Sequence, residues 1–106
     1  MTKTHQLIAQ SIAVKQTLLA DLSLQNRLDK LIEAAVKTFE TGGKILFCGN
    51  GGSEADAQHI SAELSGRFYK DRPPLFAEAL HVNSSYLTAV ANDYSYDEVF
   101  ARMTQA

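Results

Sequence analysis

Two amphipathic patterns open the chain. Residues 4–21 place apolar side chains along one stripe, and the next stretch repeats apolar residues at positions i, i+3, i+4 and i+7. These patterns predict two helices, with Ser23 as the N-cap of the second and with Gly42 and Gly43 just beyond its end. The second helix is expected to cover a sheet with its apolar face. The first has less to cover in a small domain, so we expect it to pack against a partner subunit.

A short apolar run follows the helices and ends at a glycine-rich turn. The run at residues 44–48 fits a strand that is buried on both faces, as in parallel sheets. Another helix is predicted directly after the turn, over residues 53–67. The order helix, strand, turn, helix is typical of the α/β class, and we predict that class for this chain.

The rest of the chain carries weaker signals. Residues 76–81 are a candidate strand, although a glutamate interrupts their apolar pattern. A short helix is predicted to follow, capped by Asn83 or Ser84. Ser95 and Glu98 have the spacing of a capping box, which predicts that a last helix begins there.

Composition and charge exclude several classes of protein. The 106 residues are 45% hydrophobic and 21% charged, as in one ordinary globular domain. A net charge of −2 gives no basic patch for nucleic acid. The longest apolar run is too short to span a bilayer, and the N-terminus lacks the pattern of a signal peptide. The single cysteine, Cys48, allows no intrachain disulfide and is predicted as a small core residue. Together these features indicate a cytoplasmic protein without a nucleic-acid or membrane partner.

The glycine-rich turn at residues 49–53 is the first candidate site. Glycines let a ligand approach the backbone closely, and the start of the next helix offers free N–H groups to an anion or to sugar oxygens. Ser53 could cap this helix and also present its hydroxyl to a ligand. Glu54 stands where a dinucleotide fingerprint needs glycine, and no Lys-Ser or Lys-Thr pair completes a P-loop. The turn therefore predicts a sugar-phosphate site, with a tight ligand-free connection as the alternative.

Three polar side chains share one face of the helix predicted behind the turn. Asp56, His59 and Glu63 follow one another at i, i+3 and i+7. The opposite face is expected to be apolar, with Ala57, Ile60, Leu64 and Phe68. His59 and Glu63 have the spacing at which two side chains can share a metal ion, and Glu63 could instead act as a base that transfers a proton. The alternative is an exposed His–Glu pair without a chemical role.

Two segments of the chain resemble the phosphoheptose isomerases, which are sugar isomerase (SIS) domain enzymes. They are CGNGGSEADAQHISAELSGRF at residues 48–68 and LTAVANDYSYDEVFAR at residues 87–102. The resemblance implies the N-terminal part of a SIS-type parallel-sheet sandwich with two leading helices. Residues 1–43 would form those helices and help to assemble a homotetramer, and residues 44–106 would form the first half of a sugar-phosphate-binding domain.

The resemblance also implies a reaction and a set of site residues. The reaction is the isomerisation of sedoheptulose 7-phosphate to D-glycero-D-manno-heptose 7-phosphate for lipopolysaccharide heptose synthesis. The family's proposed catalytic base falls on Glu63, and its zinc-binding pair falls on His59 and Glu63. Its substrate contacts fall on Glu63 and on Asn50, Gly51, Gly52, Ser53, Asn92 and Asp93.

Other parts of the family's site have no counterpart in this sequence. These are a serine-rich phosphate loop, a later glutamine and a further zinc-binding histidine, so we expect the chain to be a fragment that is inactive alone. Two other functions stay open: a non-enzymatic SIS regulator that binds the replication initiator protein, and a sugar-phosphate sensor domain. The family's regulators lack the glutamate that Glu63 supplies, which favours the enzyme.

Overall fold

Two helices lead the chain, and two short strands with three further helices follow. The computed structural model describes residues 1–106 and divides into two compact units, Met1–Lys37 and Thr38–Ala106. The helices are α1 (Lys3–Ala20), α2 (Leu22–Glu40), α3 (Gly52–Ser65), α4 (Ser84–Asp93) and α5 (Val99–Gln105). The strands are β1 (Ile45–Phe47) and β2 (Ala77–Ala79), and a 3-10 turn, Tyr96–Glu98, precedes α5. No helix combines the length and the apolarity that a bilayer crossing requires.

The leading helices form where the sequence predicts them, but the cap of the second differs. The Thr2 hydroxyl caps α1. At the start of α2, Asp21 Oδ1 accepts a hydrogen bond from the backbone N–H of Leu24 at 2.9 Å. Asp21, rather than Ser23, is therefore the cap, because its carboxylate reaches a free N–H and also favours the positive end of the helix. The predicted glycine stop of α2 is confirmed, since Gly42, two residues after the end of the helix, takes φ +78°.

The apolar faces of α1 and α2 are exposed. Neither helix contains a buried residue. The exposed large apolar side chains include Leu7, Ile8, Ile12, Leu28, Leu31 and Ile32. That a sheet covers the apolar face of α2 stays a prediction, because most of α2 lies in the unit Met1–Lys37 and both strands lie in the unit Thr38–Ala106.

The unit β1–α3–β2 sets the position of the candidate site. The two strands pair in parallel, with Leu46 opposite Glu78, and α3 packs against both of them. The predicted α/β class is confirmed by this parallel crossover. Because parallel strands end at the same edge of a sheet, the chain leaves β1 and β2 side by side, at the edge where α/β proteins bind ligands.

Two predictions about β1 are wrong. Its three residues are half-buried rather than fully buried, because the strand has only one neighbouring strand in the sheet. Cys48 is exposed and is therefore not a core residue. The physical reason is that β1 ends at Phe47, so Cys48 belongs to the loop that leaves the strand.

The last elements begin close to their predicted positions. Asn83 Oδ1 accepts a hydrogen bond from the N–H of Tyr86 at 3.0 Å, which confirms Asn83 as the cap of α4. The predicted capping box at Ser95 is wrong, because the Ser95 side chain makes no capping hydrogen bond. Its carbonyl oxygen instead accepts a hydrogen bond from the N–H of Glu98 at 3.2 Å. That bond closes a 3-10 turn before α5, whose first residue, Val99, is completely buried.

Candidate functional site

Ser53 closes the glycine-rich turn. Its Oγ accepts a hydrogen bond from the backbone N–H of Asn50 at 2.8 Å and donates one to the carbonyl oxygen of Asn50 at 2.9 Å. Gly51 stands at the N-cap of α3, and no side chain caps this helix. The prediction that Ser53 is the cap is therefore wrong, because Ser53 already lies in the first turn of α3. Its hydroxyl stabilises the turn before the helix through its two hydrogen bonds to the backbone of Asn50.

The three glycines of the turn differ in their surroundings. A Cβ atom added at Gly49 would lie 2.5 Å from the carbonyl carbon of Ser53, so this position has room only for glycine. Gly51 takes φ +56°, a conformation that glycine adopts without strain. An added Cβ would meet nothing within 4 Å at Gly51 or at Gly52. The backbone is therefore open to a ligand at these two positions, and their N–H groups donate no hydrogen bond within the chain.

The side chain of Asn50 is joined to a distant segment. The hydroxyl of Tyr96, 46 residues later in the chain, donates a hydrogen bond to Asn50 Oδ1. Tyr96 lies in the 3-10 turn that follows α4, so this bond brings the segment after β2 to the turn after β1. Tyr96 was not predicted from the sequence, because a contact between residues this far apart leaves no spacing signal.

His59 and Glu63 form a pair on α3, as their spacing predicts. Nε2 of His59 lies 3.1 Å from Oε1 of Glu63, and the side chains are 74% and 35% exposed, respectively. Both line an open cleft of about 430 Å³, whose other walls are Ile60, Leu64 and Phe68. The two polar groups therefore lie at the edge of an apolar surface.

The cleft corrects the predicted division of α3 into a polar and an apolar face. Ile60 and Phe68 were expected on the covered face but remain 47% and 53% exposed. Ala57 and Ser61 are the buried residues of the helix. The covered stripe is therefore narrow and consists of small side chains.

Asn92 and Asp93 lie at the end of α4. Nδ2 of Asn92 donates to Oδ1 of Asp93 at 3.5 Å, and both residues are exposed. No hydrogen bond joins either side chain to the turn, and neither residue lines the cleft. Tyr96 is the residue of this segment that makes the connection, through its bond to Asn50.

Two further polar residues contact α3 without having been predicted to do so. Nη1 of Arg72 donates to the carbonyl oxygen of Leu64 at 2.8 Å, and Nη2 donates to that of Glu63 at 3.2 Å. Arg72 therefore satisfies carbonyl groups at the end of the helix that carries Glu63. His81 is buried two residues after the end of β2, with Nε2 3.3 Å from Oε1 of Gln58. Neither contact follows from a sequence spacing, since both cross between elements.

The residues of the cleft fit part of a zinc site. An imidazole nitrogen and a carboxylate oxygen are ordinary zinc ligands, and here they lie on one helix face 3.1 Å apart. A catalytic zinc ion takes three protein ligands and a structural one takes four. The structure contains no cluster of three or more metal-ligating side chains, so the pair could supply two ligands of a larger set.

Known proteins match the chain closely in sequence and in fold. A profile of the SIS domain matches residues 6–106. The phosphoheptose isomerase of Mycobacterium bovis is 52% identical over 98 residues, which are 92% of this chain and 50% of that protein. The phosphoheptose isomerase of Aneurinibacillus thermoaerophilus is 47% identical over 104 residues, which are 98% of this chain and 52% of that protein.

A solved structure is similar over the same extent. The phosphoheptose isomerase of Neisseria gonorrhoeae superposes with a TM-score of 0.84 at 38% identity, over 97% of this chain and 52% of its own. The chain therefore spans about half the length of the curated relatives and of the solved structure that it matches.

Proposed function

The chain belongs to the SIS domain family, and from this premise we propose that it supplies part of the active site of a phosphoheptose isomerase. The proposed reaction converts sedoheptulose 7-phosphate to D-glycero-D-manno-heptose 7-phosphate, a step in lipopolysaccharide heptose synthesis. It is proposed for a protein that carries this chain at the length of its relatives, which is called the full-length protein below. The observation that carries the proposal is the contact between His59 and Glu63, 3.1 Å apart on the helix that begins at the glycine turn.

Glu63 is the proposed base. Its carboxylate removes the proton from C1 of the ketose, so that an enediolate forms, and returns that proton to C2. A second proton moves from the oxygen of C1 to the oxygen of C2, which leaves the aldose. The position of Glu63 supports this role. Its side chain is 35% exposed at the edge of an apolar cleft, so its carboxylate can contact both His59 and a substrate bound in the cleft.

The proposed substrate contacts lie at the turn and at the end of α4. The N–H groups of Gly51 and Gly52 are unused within the chain, and they lie at the start of α3, where a phosphate or sugar oxygen is favoured. The Ser53 hydroxyl donates a hydrogen bond to the carbonyl oxygen of Asn50. This bond must break before the hydroxyl can donate to a phosphate oxygen. Asn92 and Asp93 at the end of α4 complete the proposed set, together with groups from the rest of the full-length protein.

We also propose that the full-length protein holds a zinc ion through His59 and Glu63 and through ligands that this chain does not supply. A zinc ion bound there supplies Lewis-acid polarisation of a substrate oxygen. His59 and Glu63 would hold the ion together with those further ligands, and Glu63 would also move the proton.

A homotetramer is part of the same proposal. It is supported by the apolar side chains that α1 and α2 leave exposed, such as Leu31 at 65% and Ile8 at 57%, because such faces mark protein–protein contacts. Light scattering that reports a monomeric full-length protein would contradict it.

The proposed reaction is tested by incubating the full-length protein with sedoheptulose 7-phosphate in deuterated water. We expect heptose 7-phosphate to form with deuterium at C2, because the proton carried by Glu63 can exchange with solvent between its two transfers. Mass spectrometry and proton NMR measure the amount of heptose 7-phosphate formed and the deuterium at its C2. If no product forms while the protein captures the replication initiator from solution, the regulator is the better function.

The zinc proposal predicts an effect of replacing His59 with glutamine. Removing a group that hydrogen-bonds to a zinc ligand typically lowers zinc affinity about 10- to 100-fold. Removing a ligand itself is therefore expected to lower zinc affinity about 100-fold or more. Zinc content by plasma mass spectrometry, together with competition by a chelator, measures the affinity without reference to activity. His5→Gln is the matched control, because His5 lies on α1. Equal zinc affinity in the two variants would exclude His59 as a ligand.

A further inference from the structure

The hydrogen bonds of Asn50 leave one of its polar groups free. Its backbone N–H donates to Ser53 Oγ, and its carbonyl oxygen accepts from the Ser53 N–H at 3.1 Å and from Ser53 Oγ. Its side-chain oxygen, Oδ1, accepts from the Tyr96 hydroxyl. An asparagine side chain carries one acceptor oxygen and one NH₂ group with two donors. The NH₂ group at Nδ2 is therefore the only polar group of Asn50 without a partner in the chain.

We infer that Tyr96 is a positioning residue that fixes the amide of Asn50 so that Nδ2 offers its N–H groups to an acceptor oxygen of the substrate. This inference rests on the proposed function, in which Asn50 contacts a sugar phosphate. The side-chain amide is planar, and its oxygen and its NH₂ group point in different directions. The hydrogen bond from Tyr96 to Oδ1 therefore also fixes the direction in which the NH₂ group points. A carbonyl or phosphate oxygen, which accepts hydrogen bonds and donates none, is a ligand group that suits this donor.

The segment that carries Tyr96 is well placed for this function. Its ring meets the ring of Phe100 edge-on, with 6.2 Å between the centroids. Val99, between them in sequence, is completely buried. The hydroxyl is therefore presented from a segment that a buried side chain anchors. Without that bond, the exposed Asn50 amide can rotate, and an orientation with Oδ1 toward a carbonyl or phosphate oxygen repels it.

Tyr96→Phe in the full-length protein tests the inference. This change removes the hydroxyl and keeps the ring against Phe100. We expect KM for sedoheptulose 7-phosphate to rise about 3- to 10-fold, the range of one hydrogen bond, while kcat stays within about twofold, because the substrate loses binding rather than proton transfer. Titration calorimetry on the same proteins measures the dissociation constant for sedoheptulose 7-phosphate. It therefore detects a loss of substrate binding even in a protein that shows no turnover.

Tyr94→Phe is the matched control. It removes a hydroxyl from a neighbouring tyrosine that makes a cation–π contact with Arg102 at 4.2 Å and no hydrogen bond through its hydroxyl. We expect its KM and dissociation constant to equal those of the unchanged protein. Equal melting temperatures of the two variants show that a change in affinity at Tyr96 is not a loss of folding.

A double-variant cycle separates positioning from a general structural effect. Asn50→Ala is expected to raise KM, and Tyr96→Phe is expected to add nothing in that background, because its target is gone. An undiminished effect of Tyr96→Phe in the Asn50→Ala background overturns the inference, as does the absence of any effect in the unchanged background. Both results leave the proposed isomerase intact if turnover depends on Glu63. If Asn50→Ala itself leaves KM and the dissociation constant unchanged, Asn50 is not a substrate contact and the inference fails with it.

Asn50→Asp tests the direction of the amide. The carboxylate can still accept from Tyr96, but it presents an oxygen where Nδ2 stood. We expect substrate to bind this variant more weakly than the Asn50→Ala variant, since an acceptor then faces an acceptor. Binding as tight as that of the unchanged protein would show that donors at Nδ2 are not used.

Discussion

Replacing Glu63 with glutamine in the full-length protein is expected to lower kcat about 10³-fold while the dissociation constant for sedoheptulose 7-phosphate changes less than about tenfold. Glutamine keeps the length of the side chain and a hydrogen bond toward His59, but its amide cannot take a proton from carbon. Removal of a positioned general base costs about 10²- to 10⁴-fold in rate. The effect should fall on kcat, because the lost step is chemical.

The measurements must separate the base from the metal ligand, since Glu63 is proposed as both. Zinc content in the same samples does so: loss of turnover with zinc retained assigns the base, whereas parallel loss of both assigns a ligand. Glu54→Gln provides a control on the same helix. Glu54 lies 3.8 Å from His81 rather than in the cleft, so its replacement should leave kcat within about twofold. Turnover by the Glu63 variant at the unchanged rate would remove Glu63 from the chemistry.

Local contacts of the site were predictable because helix geometry alone decides them. Side chains four residues apart on a helix are neighbours, so the spacing of His59 and Glu63 predicted their 3.1 Å contact. The parallel α/β unit followed from a short apolar run with a glycine turn and a helix behind it. The confirmed cap at Asn83 has the same origin, since a cap needs only residues within one turn.

Contacts between elements could not be predicted, because they depend on how the elements pack. The Tyr96 hydroxyl meets Asn50 across 46 residues, and His81 meets Gln58 across 23. The prediction of which residues are buried failed for the same reason. Cys48 was assigned to the core from an apolar run, but a strand that ends one residue earlier leaves it exposed. The exposed stripes of α1 and α2 have the apolar pattern of a packed helix, and the pattern does not say what they pack on.

Gly49→Ala is expected to be the most destabilising of the three glycine-to-alanine changes in the turn, and to lower the free energy of unfolding by about 3 kcal/mol. A methyl group at this position would lie 2.5 Å from the carbonyl carbon of Ser53 and 2.7 Å from its carbonyl oxygen. These are backbone atoms of the first turn of α3, so no side-chain rotation relieves the contact. The helix must move away from the end of β1, and overpacking of this kind typically costs about 1–3 kcal/mol, occasionally more.

The two other glycines of the turn give a graded comparison. Gly51→Ala meets open space but keeps φ +56° with ψ −116°, a sparsely populated conformation that costs an alanine about 1–3 kcal/mol. Gly52→Ala meets open space inside α3 without a positive φ, so it should be neutral or stabilise the fold by up to about 1 kcal/mol. Urea unfolding followed by tyrosine fluorescence measures the series. All four tyrosines lie in the unit Thr38–Ala106, and the chain has no tryptophan, so the signal reports the unit that holds the turn.

The order of the three variants distinguishes a steric cause from a conformational one. A close backbone contact predicts that Gly49→Ala is worst, whereas a turn limited only by positive φ predicts that Gly51→Ala is worst and Gly49→Ala mild. A Gly49 variant as stable as the Gly52 variant would show that α3 can shift without cost, and the hydrogen bonds between Ser53 and Asn50 would then not fix the turn. In the full-length protein the Gly49 change should also weaken substrate binding, because it displaces Asn50 and the free N–H groups of Gly51 and Gly52 together.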